Sequence, residues 1–361
     1  MKISTDVMVR SRAPLRISFA GGGTELPPFI EKYGGLVISS TISRYAHTTI
    51  KWLPGHGKII FRALDLLKKH EWAHKDYLDF LSNPVTGDLL LHQAVLQEFL
   101  VEYSLSLPIP IEISTYCDAP EGSGLGSSST LTVSIVKAMS LFFGIPLKES
   151  ELAKLAYKIE RKKLGFAGGL QDHYSATYGG LNYIDFKQSG EVIVNQLRLS
   201  ESHRAEFESW LVMVYTGLAR NSGDVIEKQI TKINNSDQET IKRLLRIKEY
   251  AEHFKNLIMS ENFKELGNLM HDAWFEKRSI SDSISNEKID SLYDTAREFG
   301  AIGGKLSGAG GGGYLMLLCD PDDKPKLFSE LFSKTEYKAE NVYLSKDSAT
   351  AWRIQKSGND K

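Results

Sequence analysis

The stretch Pro120-Glu-Gly-Ser-Gly-Leu-Gly-Ser-Ser-Ser-Thr130 constrains the fold more than any other part of the chain. Gly122, Gly124 and Gly126 alternate with Ser123 and Leu125. Ser127, Ser128 and Ser129 then lead into an apolar run, Leu131 to Phe143, that Gly144 and Pro146 stop. The pattern is that of a glycine turn opening a helix. A helix N-terminus presents unpaired N–H groups and a partial positive charge, so it attracts phosphate without a cation. Glycine lets the backbone approach closely because no Cβ stands in the way. No Walker-type Lys follows, so a bound phosphate depends on N–H groups, on the serine hydroxyls or on a divalent cation that a serine ligates. A plain turn with a serine N-cap fits this stretch equally well when it is read alone.

Two further glycine loops shift the balance. In "RISFAGGGTE", Gly21, Gly22 and Gly23 end a strand, and Thr24 and Glu25 follow as groups suited to hydroxyl recognition. In "SGAGGGGYLML", Gly308 and Gly310 to Gly313 precede another strand. Three such loops cost chain entropy unless the backbone is needed at a ligand. The formal G-x-G-x-x-G from Gly308 to Gly313 runs into a strand instead of opening a helix, so it is not read as a dinucleotide fingerprint.

The remaining pattern is of an α+β class. Strands are expected at "LRISFA", at "GLVISSTIS" with "AHTTIKWL" as an antiparallel pair, at "IPIEISTYCDA", and at the hairpin "LNYIDF"/"EVIVNQLRL". Helices are expected over 64–81, 88–105 and 149–164, with three or four more over 222–300. A change of texture near 200–208 suggests two domains, 1–205 and 206–361. "HEWAH", His70 to His74, matches a zinc-protease pattern. It lies in a heavily charged segment with no recognisable third ligand, and is read as a solvated helical face.

Composition excludes several classes. With 361 residues, 42% apolar and 25% charged, the chain is long enough to bury a sizeable core and is not of a disordered type. A net charge of -1 gives no general reason to bind nucleic acid or a membrane. Cys117 and Cys319 lie in apolar strand contexts and read as reduced, buried thiols. The N-terminal segment lacks a signal peptide's apolar core, and no apolar run is long enough to span a bilayer, so a cytoplasmic protein is expected.

The three motifs "APLRISFAGGGTE" (13–25), "PEGSGLGSSSTL" (120–131) and "KLSGAGGGGY" (305–314), in this order, resemble those of the GHMP-family small-molecule kinases. The resemblance implies an N-terminal domain like the second domain of ribosomal S5, a ferredoxin-like C-terminal domain, and an active site between them. It implies ATP and Mg²⁺ as cofactors, with Gly122 to Ser129 as the ATP phosphate loop. Ser128 and Glu160, in "LAYKIERKK", correspond to the Mg²⁺ ligands. Asp172, in "GGLQDHYSATYGG", corresponds to the aspartate beside the acceptor hydroxyl, and Arg16 to the basic residue near it. Gly21 to Glu25, Gly168, Gly169, Gly310 and Gly311 fall where the acceptor is bound. The adjacent His173 is open to a packing role or to a hydrogen bond with the acceptor.

Residues 271–318 resemble the corresponding region of bacterial D-glycero-D-manno-heptose 7-phosphate kinases. This implies phosphorylation at C1, giving the 1,7-bisphosphate used for nucleotide-activated heptose and surface polysaccharide. Glu25 stands where many relatives have Asp, moving the carboxylate by one methylene. The partners implied are ATP and a sugar phosphate. Arg44, Arg220, Lys277, Arg278 and Lys305 are the candidate cations for a substrate phosphate, and "TGLARNSGDVIEKQ" (216–229), with Arg220, Asn221 and Ser222, is the favoured segment. The alternatives are a fucokinase- or galactokinase-like enzyme for an unphosphorylated sugar, or a catalytically silent sugar sensor.

Overall fold

A computed structural model describes residues 7–217, 222–335 and 337–355. Of the favoured phosphate segment, Arg220 and Asn221 lie outside these described residues. Two long strands, β1 (Val7–Ala20) and β2 (Gly35–Trp52), pair antiparallel and are joined through helix α1 (Pro27–Tyr33). Their register shifts between Pro14 and Arg16 and between Ser18 and Ala20. Bulges of this kind bend a strand and re-aim its side chains, and these two flank Arg16 and Ser18. "GLVISSTIS" and "AHTTIKWL" were expected to pair with each other. They form the single strand β2 instead, because no Gly or Pro breaks the alternation between them.

The helix expected over 64–81 is mostly a hairpin of β3 (Lys58–Ala63) and β4 (Lys68–Ala73), followed by a 3₁₀ turn and the short helix α2 (Tyr77–Ser82). Lys58 reaches across the hairpin to Glu71, and Trp72 Nε1 donates to Gln93 Oε1 at 2.9 Å. Charges that pair across strands give a spacing that also suits a helix face, and tertiary packing decides between the two periods. "HEWAH" is therefore strand and turn, not a helical face. His74 Nε2 lies 2.7 Å from the Leu107 carbonyl.

Next come α3 (Leu90–Glu102), β5 (Ile111–Cys117), α4 (Ser127–Phe143), α5 (Glu149–Tyr157), α6 (Gln171–Tyr178), β6 (Leu181–Phe186), β7 (Val192–Gln196) and α7 (Glu201–Trp210). The first sheet has eight strands in the order β12-β1-β2-β5-β3-β4, with β6 added to β2 and β7 to β6. The second part opens with β8 (Leu211–Tyr215) and four helices, α8 (Ser222–Asn234), α9 (Gln238–Met259), α10 (Phe263–Arg278) and α11 (Glu287–Glu298). It continues with β9 (Ala301–Leu306), β10 (Tyr314–Cys319), α12 (Lys324–Thr335) and β11 (Ala339–Asn341), and its sheet runs β11-β8-β10-β9. The last strand, β12 (Thr350–Gln355), crosses back to pair with β1.

Leu15, Ile17 and Phe19 of β1 share one core with Phe207 of α7 and with Phe254, Met270 and Met316 from the second part. Each such side chain contributes about 1.5–3 kcal/mol when fully buried, so the two sheets are held as one body and β1 sits at the seam. We propose that the domains divide near 205–206, inside α7, with β12 as the segment that returns to the first sheet. Both cysteines are free, Cys319 buried and Cys117 half-buried. Among the described residues no helix is long and apolar enough to cross a membrane.

Candidate active site

Helix α4 begins at Ser127. Its cap residue is Gly126, in the left-handed region at φ 74°, and that residue supplies no side-chain cap. The first turn is thus free to present its N–H groups outward. A Cβ on Gly124 would overlap the Ser307 carbonyl, so only glycine lets the loop run this close to the third motif. Ser128 is exposed. Leu125 is buried in the core shared by both sheets, Ser123 is buried with its hydroxyl 3.2 Å from that of Ser127, and Ser129 receives a hydrogen bond from Arg161 Nη2 at 2.9 Å. Loop side chains therefore alternate between anchoring and facing out.

Ser128 Oγ donates to Glu160 Oε1 at 2.6 Å. Glu160 sits on a π-helical turn, Lys158–Lys163, that continues α5; such turns recur at functional sites. Its other oxygen lies 2.6 Å from His173 Nε2, and Arg161 Nη1 stands 3.3 Å from Oε1. Burial pushes the Glu160 carboxyl up, but Arg161, His173 and Ser128 together outweigh it and hold the pKa at about 2. The carboxylate is thus ionised and carries a full negative charge beside an exposed hydroxyl. His173 Nδ1 has no partner among the described residues, so the ring's one polar contact is Glu160. That contact rests on a pairing 13 residues apart across a loop, and the sequence carries no signal for it.

One position earlier on α6, Asp172 Oδ1 accepts from Arg16 Nε at 2.7 Å, while Arg16 Nη1 donates to the Gly124 carbonyl at 2.5 Å. Arg16 keeps 4% of its side chain exposed and Asp172 keeps 22%, so the carboxylate is the member that meets solvent. A Cβ on Gly126 would stand 3.2 Å from Asp172 Oδ2, which puts this carboxylate in contact range of the phosphate loop. The first turn of α6 thereby reaches Arg16 through Asp172 and Glu160 through His173.

The glycine-rich acceptor residues divide. The Gly23 N–H donates to Glu25 Oε2, the Gly22 carbonyl accepts from Lys277 Nζ at 3.0 Å, and Gly21 packs on the Leu36 carbonyl. Gly169 packs on Glu25 and Gly168 on the Arg161 guanidinium, so their loop joins both halves of the site. Thr24 was expected to offer a hydroxyl. It is fully buried and its Oγ1 is engaged with Gly21 and Leu36 backbone, so it shapes the loop instead. Gly310 and Gly311 were expected at the acceptor; Gly310 packs on Ile284, whose carbonyl accepts from the Gly311 N–H at 2.7 Å. Their motif buttresses the phosphate loop: Tyr314 N–H donates to the Ser123 carbonyl at 2.9 Å and Ser307 Oγ to the Gly124 carbonyl at 2.9 Å.

Buried charge also gathers here. Burial raises the Glu25 carboxyl, with Lys277 opposing; burial lowers Lys277, with Glu25 opposing. Lys305 donates to the Ser18 carbonyl at 2.7 Å and is brought down to about 7 by burial and then by Lys277 and Arg16. The sequence does hold a signal for Lys277. It falls on the apolar stripe of α10, with Leu266, Met270 and Trp274, where a lysine is out of place.

Among the described residues no three His, Cys, Asp or Glu side chains group to hold a metal. A divalent cation would rely on Ser128, Glu160 and the oxygens of a bound phosphate. The constellation is a bare helix N-terminus, an acidic and hydroxyl pair on one side of it, and a half-open carboxylate held by a buried arginine on the other. It suits transfer of a phosphoryl group to a hydroxyl.

Comparison with known proteins agrees. Residues 90–180 match the model of the GHMP kinases N terminal domain, and residues 252–338 that of the GHMP kinases C terminal. A D-glycero-alpha-D-manno-heptose 7-phosphate kinase of Campylobacter jejuni is 36% identical over 346 residues, which cover 96% of this chain and 99% of that one. The chain belongs to the GHMP kinases. A crystal structure of a D-glycero-D-manno-heptose 1-phosphate kinase from Bacteroides thetaiotaomicron superposes with a TM-score of 0.79 at 32% identity, covering 96% of this chain and 99% of its own. An Arabidopsis thaliana bifunctional fucokinase/GDP-fucose pyrophosphorylase is 26% identical over 91% of this chain and 31% of the longer plant protein. As a GHMP kinase the protein is an ATP-dependent phosphotransferase, and its α+β two-part fold is that of the family.

Proposed function

We propose that this GHMP kinase phosphorylates the anomeric C1 hydroxyl of D-glycero-D-manno-heptose 7-phosphate, giving the 1,7-bisphosphate used for nucleotide-activated heptose and surface polysaccharide. The observation that carries the phosphoryl-transfer half is the contact between the two half-sites: Asp172 lies against Gly126, the residue that opens α4. A hydroxyl hydrogen-bonded to Asp172 is then adjacent to phosphates seated on the helix N-terminus, the near-attack arrangement that phosphoryl transfer needs. The sugar half rests on likeness to relatives named for heptose phosphates along almost their full length.

In this reading Gly122 to Ser129 hold the ATP phosphates through backbone N–H groups and the outward serines. Asp172 accepts the proton of the attacking hydroxyl, and Arg16 fixes the carboxylate and ties it to the phosphate loop through Gly124. Ser128 and Glu160 fit Mg²⁺ by their chemistry, an exposed hydroxyl oxygen beside an ionised carboxylate, both hard oxygen donors, and would hold the cation there. When bound there the cation supplies neutralisation of phosphate charge. Arg161 and His173 keep Glu160 in place for it.

The relatives' names differ on which phosphate the acceptor already carries, so the acceptor itself is the test. ADP release is measured with the heptose 7-phosphate, the heptose 1-phosphate, the free heptose, fucose and galactose. Turnover is expected with the 7-phosphate at a kcat/KM well above that of the other sugars. Turnover only with an unphosphorylated sugar, or only with the 1-phosphate, contradicts the acceptor proposed. Tight sugar binding without turnover of any identifies a sensor.

A further inference from the structure

The five cations that could meet a substrate phosphate are separated by the structure. Arg44 is engaged with Tyr314 Oη at 2.6 Å and Glu340 at 2.8 Å, and Arg278 with Asp290 at 3.1 Å while lying over the Phe275 ring. Arg220 is outside the described residues. Lys277 and Lys305 remain, both buried at 5% exposure, and the hydrogen bonds of both go to uncharged oxygens. A buried ammonium is costly unless an anion meets it.

Lys277 is the one that lies directly beneath the acceptor loop. A Cβ placed on Gly23 would stand 2.8 Å from its Nζ, so the loop backbone packs onto that ammonium with no side chain between them. Its neighbour is Gln229, whose Oε1 accepts from Nζ at 3.2 Å. Gln229 is 1% exposed, and its Nε2 is a buried donor with no partner among the described residues. Both residues interrupt apolar stripes: Gln229 lies between Val225 and Ile233 on α8, and Lys277 follows Met270 and Trp274 on α10. Two helices thus each bring one polar group out of register with their packing to the same point under Gly22 and Gly23. Nearby, Arg16 is paired with Asp172, and Glu25 is the carboxylate that acts on both Lys277 and Lys305.

We propose that Lys277 and the free amide of Gln229 form a subsite for a phosphomonoester carried by the acceptor, reached past the side-chain-free Gly22–Gly23 segment. Lys277 supplies charge and a directed N–H, and Gln229 Nε2 supplies a second donor to another phosphate oxygen. Glu25, fixed by the Gly23 N–H, is left to accept hydroxyls of the sugar. This assignment rests on the proposed sugar-phosphate acceptor and makes the phosphate its selecting feature. The competing role is purely mechanical, with Lys277 holding the Gly22 carbonyl in place.

Steady-state constants for the heptose 7-phosphate, the free heptose and ATP separate these, using the wild type, Lys277→Met, Lys277→Arg and Gln229→Leu. Losing one charged hydrogen bond to a phosphate weakens binding by about 10–100-fold. Lys277→Met is therefore expected to lower kcat/KM for the 7-phosphate, through KM, by that factor beyond the loss seen with the free heptose, which loses only the support Lys277 gives to Gly22 and Glu25, and to leave the KM for ATP within about threefold. Lys277→Arg keeps the charge and is expected to recover most of the loss, with Gln229→Leu intermediate. Equal losses on both sugars would overturn the subsite and leave the mechanical role, with the proposed function intact. A raised KM for ATP alone would assign the lysine to the nucleotide's phosphate and overturn it as well. Failure of the wild type to turn over the 7-phosphate overturns the acceptor reading and the subsite together. Comparable wild-type kcat/KM for the two sugars overturns the subsite alone.

Discussion

Asp172→Asn is expected to lower kcat by about 10²–10⁴-fold, the range of a lost general base, with ATP affinity unchanged. The substitution keeps the shape of the site, because an Asn Oδ1 can still accept from Arg16 Nε and Arg16 Nη1 still reaches the Gly124 carbonyl. What disappears is the acceptor of the hydroxyl proton, while the helix N-terminus and Ser128 are untouched. Single-turnover kinetics and nucleotide titration by calorimetry check the two halves separately. Near-normal kcat would assign Asp172 to orientation alone; a large loss of ATP affinity would show that the Arg16–Asp172 pair mainly supports the phosphate loop.

Glu160→Gln is expected to weaken Mn²⁺ binding in the presence of nucleotide by at least about 100-fold, beyond the 10–100-fold typical of losing a supporting contact. Electron paramagnetic resonance of Mn²⁺ reads this without turnover. The variant keeps a side chain of the same size but removes the charge that Arg161 and His173 surround. Unchanged Mn²⁺ affinity would make Glu160 a structural anion only. Stability should fall too, by up to about 3 kcal/mol, since a buried partner is left uncompensated. The pH dependence has a defined sign. The native carboxyl is held at about 2 against an ordinary 4.5, so the stability gap between wild type and variant is full above pH 4.5 and closes as pH falls towards 2.

The site was legible in the sequence where chemistry requires particular residues at short range. Gly124, Gly126 and Ser128 mark a glycine turn that opens a helix through composition and spacing, and Asp172 and Glu160 are picked out by their place in motifs that resemble the family's. What the sequence concealed depends on pairing at a distance. Thr24 looks like a ligand in "GGGTE" until Leu36 is seen to close over it. Gly310 and Gly311 face Ile284, a contact set by how α10 and α11 turn. The β3–β4 hairpin was hidden because the ion pair that crosses it, Lys58 with Glu71, joins residues far apart in sequence, while Lys69 meets the same Glu71 along β4. Lys277 was visible as a lysine on an apolar stripe, but its arrival under Gly22, 255 residues away in sequence, was not.

The fold accounts for the convergence. β1 carries Arg16 on a strand irregularity, then the acceptor loop at its end, and it lies in the core shared by both sheets. α4 and α6 both pack on that strand, so Gly126 and Asp172 are positioned by one element.

The proposed reaction is transfer to the C1 hydroxyl of a heptose that already carries a 7-phosphate. Phosphorus NMR of the product formed from ATP, Mg²⁺ and D-glycero-D-manno-heptose 7-phosphate tests it most directly. The expected spectrum keeps the 7-phosphate resonance and gains one new phosphate coupled to the anomeric proton. A new phosphate on any other carbon, or ADP formation with no second sugar phosphate, would contradict it.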